Sequence, residues 1–183
     1  DHPGIDDFAK GNRVVVVGSN WPEDDEIIMD ELKSLPKIKV IVAPHEMSGT
    51  QMNVWESKFA GKIIRLSELG DAIPSEIQIL YIDRIGMLSR IYRYASVAYV
   101  GGGFGKSIHN ALEPSVYGVP VLFGPNNDRF DEAQQLIGMG AGFEINDQIE
   151  FGQTVRKLLS DTKLLEDIKL KLSAHFERKK GGS

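Results

Sequence analysis

The chain has 183 residues, 42% hydrophobic and 26% charged, which is enough for one domain with a real core. A net charge of −5 argues against nucleic acid as a main partner. The lack of cysteine excludes disulfides, zinc–thiolate sites and cysteine nucleophiles, and fits a reducing compartment. No apolar run approaches the ~20 residues of a membrane helix, and no signal peptide is visible, so this stretch is expected to be soluble.

Taken in order, DHPG reads as the middle of a longer chain. Residues 13–18, RVVVVG, read as a buried parallel strand: a run of valines, then a turn glycine. Ser19, Asn20 and Trp21 make the first strand–helix loop. Pro22 and the acids Glu23 to Glu26 suit a helix first turn, and that helix runs to about Leu35, ahead of Pro36. A second strand at 38–43 exits through Pro44, His45 and Glu46. A helix at 48–59 and a short strand at 62–65 follow, then a loop at 70–75. A strand at 77–82 ends on Asp83. Residues 84–94 read as a helix with Ile85, Leu88, Ile91 and Tyr92 on one stripe. Next comes a strand at 97–100, glycines at 101, 102, 103 and 105, a helix from about 108–110 to Gly118, and a strand at 121–123. A helix near 130–139, a short strand at 142–145, a helix near 149–160 and a last amphipathic helix at 166–177 complete the pattern. The KKGGS end reads as a frayed tail.

Strands alternating with helices predict an α/β, Rossmann-like three-layer sandwich built on a parallel sheet of about six strands. Such sheets bind ligands past the carboxyl ends of their strands. That directs attention to the loops at Ser19, Pro44, Asp83, Gly101 and Gly124.

The most informative loop is Gly101, Gly102, Gly103 and Gly105. Glycine lets backbone approach a ligand, and the N-terminus of a following helix would offer free N–H groups to a phosphate. A bare tight turn is the alternative. If a ligand is the reason, a side chain at Gly102 should block binding and leave stability almost unchanged. The dinucleotide pattern G-x-G-x-x-G fails in both registers, and the P-loop pattern has Val100 where it needs glycine. A third reading is the nucleotide-sugar half of a GT-B glycosyltransferase, in which an acid on the next helix holds the ribose. Glu113, three residues after Asn110, would share a helix face with it, and a carboxylate can accept from both ribose hydroxyls. Lys106 and Ser107 either meet the phosphate or stay solvated. His109 and Asn110 either cap the helix or touch phosphate or sugar. His2, His45, His109 and His175 show no metal-ligand spacing. No nucleophile–base set or acid pair can be argued.

The segment HNALEPSVYGVPVLFGP after the glycine run resembles the C-terminal domain of the Kdo transferases, which move 3-deoxy-D-manno-octulosonic acid (Kdo) from CMP-Kdo to a lipid A precursor. The resemblance covers residues 13–176. It implies that residues 1–183 form a single CMP-Kdo-binding domain, the C-terminal half of a GT-B enzyme of lipopolysaccharide biosynthesis. The acceptor domain and the catalytic base would lie in an N-terminal half absent from this chain, leaving no catalytic residue here. It implies no cofactor and no metal. The full-length protein would sit at the cytoplasmic face of the bacterial inner membrane and touch the membrane surface. Glu113 corresponds to the ribose-binding glutamate. Gly18-Ser19-Asn20-Trp21 matches a Gly-Ser-x-Trp run near the sugar phosphate, where Trp21 reads as a packing residue. Pro44-His45 is similar to a run near the nucleotide, but lacks the family's arginine and is followed by Glu46. Ile85-Gly86-Met87-Leu88 resembles the segment flanking the base, with helix start and core as the plainer reading of Ile85, Gly86 and Met87. Asn126, Asn127 and 130–132 correspond to a region facing the inter-domain cleft. The alternatives are a UDP-sugar-dependent transferase or epimerase of the same fold and, from another class, a nucleotide-binding module without chemistry.

Overall fold

The structure, a computed structural model, describes residues 2–181. Its strands are β1 (Val14–Asn20), β2 (Lys39–Pro44), β3 (Ile63–Arg65), β4 (Ile79–Tyr81), β5 (Val97–Val100), β6 (Val121–Phe123) and β7 (Gly142–Glu144). They form one parallel sheet in the order β3-β4-β2-β1-β5-β6-β7. The α/β fold class is borne out, with seven strands rather than about six. The two edges are three-residue strands.

Every residue of β1 is buried, because helices cover both faces of the sheet; that is why its sequence is a valine run and not an alternation. The helices are α1 (Pro3–Ala9), α2 (Pro22–Lys33), α3 (Gly49–Lys58), α4 (Leu88–Ile91), α5 (Leu112–Ser115), α6 (Asp131–Gly138), α7 (Gln148–Ser160) and α8 (Thr162–Gly181). The chain leaves β1 toward β2 on one side and later returns as β5 on the other. The crevice between the carboxyl ends of β1 and β5 is therefore the topological switch point.

Two segments depart from the sequence reading, and one helix adds to it. Pro3 opens α1, His2 caps it, and Ile5 and Phe8 enter the core. The helix expected over 84–94 begins only at Leu88, because Gly86 adopts φ +88° and breaks the turn before it. The helix expected from 108–110 to 118 shrinks to Leu112–Ser115. The Ile108 and His109 amides donate to Asn126 O and Gly101 O instead. Those bonds tie the segment to the glycine loop and the β6 exit, so it cannot coil. Pro114 is then the third residue of a single turn, where its missing N–H has no helical partner to lose.

Candidate functional site

The site starts where β1 runs out. Ser19 takes φ +53°, unusual for a residue with a side chain, and the register with β2 shifts between Gly18 and Asn20. The resulting bulge brings the Ser19–Asn20 backbone against Gly101, where a Cβ would overlap the Ser19 carbonyl and Asn20 Cα. Gly101 N donates to Gly18 O at 2.8 Å. A Cβ on Gly103 would meet the Gly124 backbone at 2.6 Å. Gly102 has φ +101°, and a Cβ there would run into the Ser107 carbonyl. The fold itself thus requires all three glycines. This corrects the expectation that a side chain at Gly102 would spare stability. Gly105 differs: its nearest neighbour would be Gly102 O at 3.7 Å, an ordinary contact.

The loop amides divide in the same way. Gly102 N donates to Asp24 Oδ2 at 3.1 Å, and Gly105 N to Gly102 O at 3.0 Å. The amides of Gly103, Phe104, Lys106 and Ser107 have no acceptor among the described residues. Helix α5 starts well past the loop and is one turn long, so the expected helix-terminus field is absent. Anion-binding capacity lies in the open amides of the loop.

Under the loop lies a buried acid pair. Asp24 accepts from Tyr99 Oη at 2.5 Å, Trp21 N at 2.8 Å and Gly102 N. Asp25 accepts from Asn20 Nδ2 at 2.7 Å, Gln51 Nε2 at 2.8 Å and Trp55 Nε1 at 2.9 Å. Burial outweighs these donors and pushes Asp25 up to about 6; burial also raises Asp24, against the same kind of donors. The sequence reading took both as first-turn acids of the helix and gave them no further role. They fall on the stripe of Ile28, Met29 and Leu32, and that spacing was the available signal.

Above the loop three rings meet. Trp21 Nε1 donates to His109 Nε2 at 3.0 Å. His45 lies over both, with ring centroids 4.4 Å from Trp21 and 4.2 Å from His109. Burial first, then the neighbouring His45, lowers the basicity of His109. The sequence analysis had Trp21 as a packing residue only; the structure joins it to two candidate ligand residues from separate loops.

The remaining candidates are placed as follows. Ser19 is buried. Asn20 is fully buried, with its amide on Asp25 and its Oδ1 without a partner among the described residues. Pro44 is buried opposite Asn20, and His45 N donates to Asn20 O at 3.1 Å. Lys106 is exposed and Ser107 half-buried. Asn110 precedes α5, not on it, and its Oδ1 accepts from Leu112 N at 2.9 Å. The shared helix face with Glu113 is therefore corrected to a side-chain turn just ahead of the helix. Glu113, in the single turn of α5, is half-buried with no hydrogen bond or ion pair among the described residues. It does lie near Tyr92, whose phenol is raised by burial and then by the Glu113 charge. Ile85 and Gly86 are exposed in a turn, and Met87, half-buried against the core, is the residue before α4. With Arg84, Arg90 and α1 they border a cleft of about 320 Å³. Asn127 holds Gly124 O and Glu144, and Phe130 precedes α6. Among the described residues no group of three His, Cys, Asp or Glu is placed to hold a metal. No helix there is long and apolar enough to cross a membrane.

No protein-family model matches the chain. It is 29% identical over 152 residues to 3-deoxy-D-manno-octulosonic acid transferase from Aquifex aeolicus, covering 80% of this chain and 42% of that protein. It is 33% identical over 140 residues to the protein of the same name from Chlamydophila psittaci, covering 74% of this chain and 32% of that one. The chain thus spans less than half the length of these relatives. Among solved structures, the C-terminal CMP-Kdo binding domain of WaaA from Acinetobacter baumannii superposes with a TM-score of 0.78 at 22% identity, covering 91% of this chain and 90% of that one. HepE of Anabaena in complex with UDP-glucose gives 0.67 at 15% identity, covering 95% of this chain and 48% of that one. The fold is the Rossmann-like domain of the C-terminal half of GT-B glycosyltransferases.

Proposed function

We propose that this chain, a relative of the 3-deoxy-D-manno-octulosonic acid (Kdo) transferases, is the donor-binding half of such an enzyme and holds CMP-Kdo at the β1–β5 switch point. The observation that carries this is the row of open amides at Gly103, Phe104, Lys106 and Ser107 beside the Trp21–His45–His109 cluster. Backbone N–H groups in a glycine loop suit a phosphate diester. The Glu113 carboxylate, without a partner among the described residues, suits the ribose hydroxyls, and the turn at Ile85 and Gly86, with Met87 beside it, suits the base. Whole-protein activity would be transfer of Kdo to a lipid A precursor in lipopolysaccharide biosynthesis. An N-terminal half would supply the acceptor site and the membrane contact.

In that reaction the acceptor hydroxyl attacks the anomeric carbon of Kdo, the bond to the phosphate oxygen breaks, and CMP leaves. The hydroxyl proton goes to a base outside this chain. Negative charge grows on the departing phosphate, and loop amides already fixed in place stabilise it without reorganising. The buried Asp24, bonded to Gly102 N, keeps the loop in that form. Calorimetry with CMP, UMP, UDP and AMP tests the reading. CMP is expected to bind best, though weakly, because one wall of the cleft is missing. Clearly tighter UDP binding would sink the Kdo assignment in favour of a UDP-sugar enzyme.

A further inference from the structure

Acids outnumber bases in this chain, 26 to 21, yet none lies between Asp83 and Glu113, where Arg84, Arg90, Arg93 and Lys106 stand. The fold gathers the three arginines around the cleft of about 320 Å³ between α4 and the start of α1, and no acid lines it. Asp83 and Asp6, on the adjoining segments, are engaged. Asp83 accepts from Ser67 N at 3.0 Å and from the Ser67 hydroxyl. Asp6 accepts from the Tyr94 hydroxyl and holds Arg93 at 3.6 Å. Arg84 and Arg90 differ: both are exposed, with no hydrogen bond or ion pair among the described residues. The lip of the cleft is apolar. Ile85 is 83% exposed, the most of any large apolar side chain among the described residues. Val116 and Tyr117 are exposed too, and the Tyr117 hydroxyl donates to Ser89 O at 3.2 Å, which ties them to α4.

Two uncommitted guanidinium groups and an isoleucine standing out in water on one cleft match a ligand with an anionic head and an apolar body. We propose that this face is a membrane-surface contact: Arg84 and Arg90 take the phosphate of an anionic lipid headgroup in the cleft, and Ile85 enters the apolar boundary beside it. A guanidinium fork fits a phosphate with two hydrogen bonds, and its stem can lie along apolar surface while the charge stays at the headgroups. The Tyr117 ring, apolar with a polar tip, suits the same depth. A nucleic acid or a free phosphate would satisfy the arginines and leave Ile85 in water; a lipid surface covers both. This is a contact of the chain's own, in addition to any that an N-terminal half makes, and it does not rest on the nucleotide reading. That reading uses the backbone of the turn and Met87, which packs on the core, whereas the Ile85 side chain stands outward.

Flotation of the 183-residue chain with vesicles tests this. On phosphatidylcholine with about a quarter phosphatidylglycerol the chain is expected to float, less so as salt is added. On phosphatidylcholine alone it should stay in solution. Arg84→Gln and Arg90→Gln should each lower the partition coefficient about fivefold. Ile85→Ser should lower it about tenfold and keep the salt dependence, since the part it removes is apolar. All three side chains are exposed, so these variants should melt as the parent does, and lost binding then reports the surface and not the fold. Lys179→Gln combined with Lys180→Gln, at the basic end of α8, should float like the parent. Inorganic phosphate should release no more protein than chloride of the same ionic strength. No flotation on the mixed vesicles, equal flotation on neutral ones, or a loss that follows the α8 variant and not the arginine variants overturns the proposal. Release by phosphate beyond the chloride control would make the cleft a site for a free anion and overturn the lipid assignment. CMP binding without vesicles tests the nucleotide reading separately, so either can fail alone.

Discussion

Asp24 and Asp25 lie beneath the glycine loop, and Glu113 stands beside it; the same functional group meets opposite treatment in the two places. Each buried aspartate accepts three hydrogen bonds from the protein itself. Glu113 accepts none from the described residues. The loop amides repeat the contrast, Gly102 N being taken by Asp24 while Gly103, Phe104, Lys106 and Ser107 stay open. Polar groups satisfied inside the fold build the platform, and polar groups left open on its rim are those available to a ligand. Perturbation should therefore cost stability below the loop and affinity above it.

The largest effect is expected from Gly102→Val. Left-handed backbone and the Ser107 carbonyl together make a loss of ~3 kcal/mol or more, read as a fall in melting temperature. Gly105→Ala is the control and should stay within about 0.5 kcal/mol of the parent. Equal melts for the two variants would break the comparison, because the glycines would then not be divided between fold and rim.

Asp25 gives the next effect. Its folded value of about 6 lies above its ordinary 3.8, so between those values the folded chain binds more protons than the unfolded one. Stability should fall as pH rises from about 4 to about 6 and level off above, by at most ~3 kcal/mol at 1.36 kcal/mol per unit. Asp25→Asn should lose this component and keep the one from Asp24, which burial also raises. The quantity to plot is the parent-minus-variant difference in unfolding free energy against pH. A flat difference would mean that the three donors hold Asp25 charged and that burial does not prevail.

The smallest effect concerns the rim. Glu113→Gln should leave the melting temperature nearly unchanged, since no internal partner is lost, and weaken CMP binding by ~1–3 kcal/mol. That loss should shrink with a 2′,3′-dideoxy ligand, and the residue–ligand cycle isolates the contact. A variant that binds both ligands as the parent does would remove Glu113 from the site. A variant that melts early would move it to the structural side of the comparison.

Much of this was legible in the sequence, for identifiable reasons. The valine run of β1, the alternation of strand and helix segments, and the glycine run between β5 and the next helix are local patterns, and burial on both faces or a close backbone approach imposes them wherever they occur. They were sufficient for the fold class and for finding the glycine loop that closes the β1–β5 crevice. Even the burial of Asp24 and Asp25 was written in their spacing to Ile28, Met29 and Leu32. Which chain segments meet was decided only by the tertiary structure. The helix expected at 108–118 gave way because amides at Ile108 and His109 found acceptors at Asn126 and Gly101, partners that no local propensity can foresee. Trp21, His45 and His109 each looked ordinary in sequence. They form one cluster because strand order sets β2, β1 and β5 side by side, so that the loops leaving their carboxyl ends converge at one place.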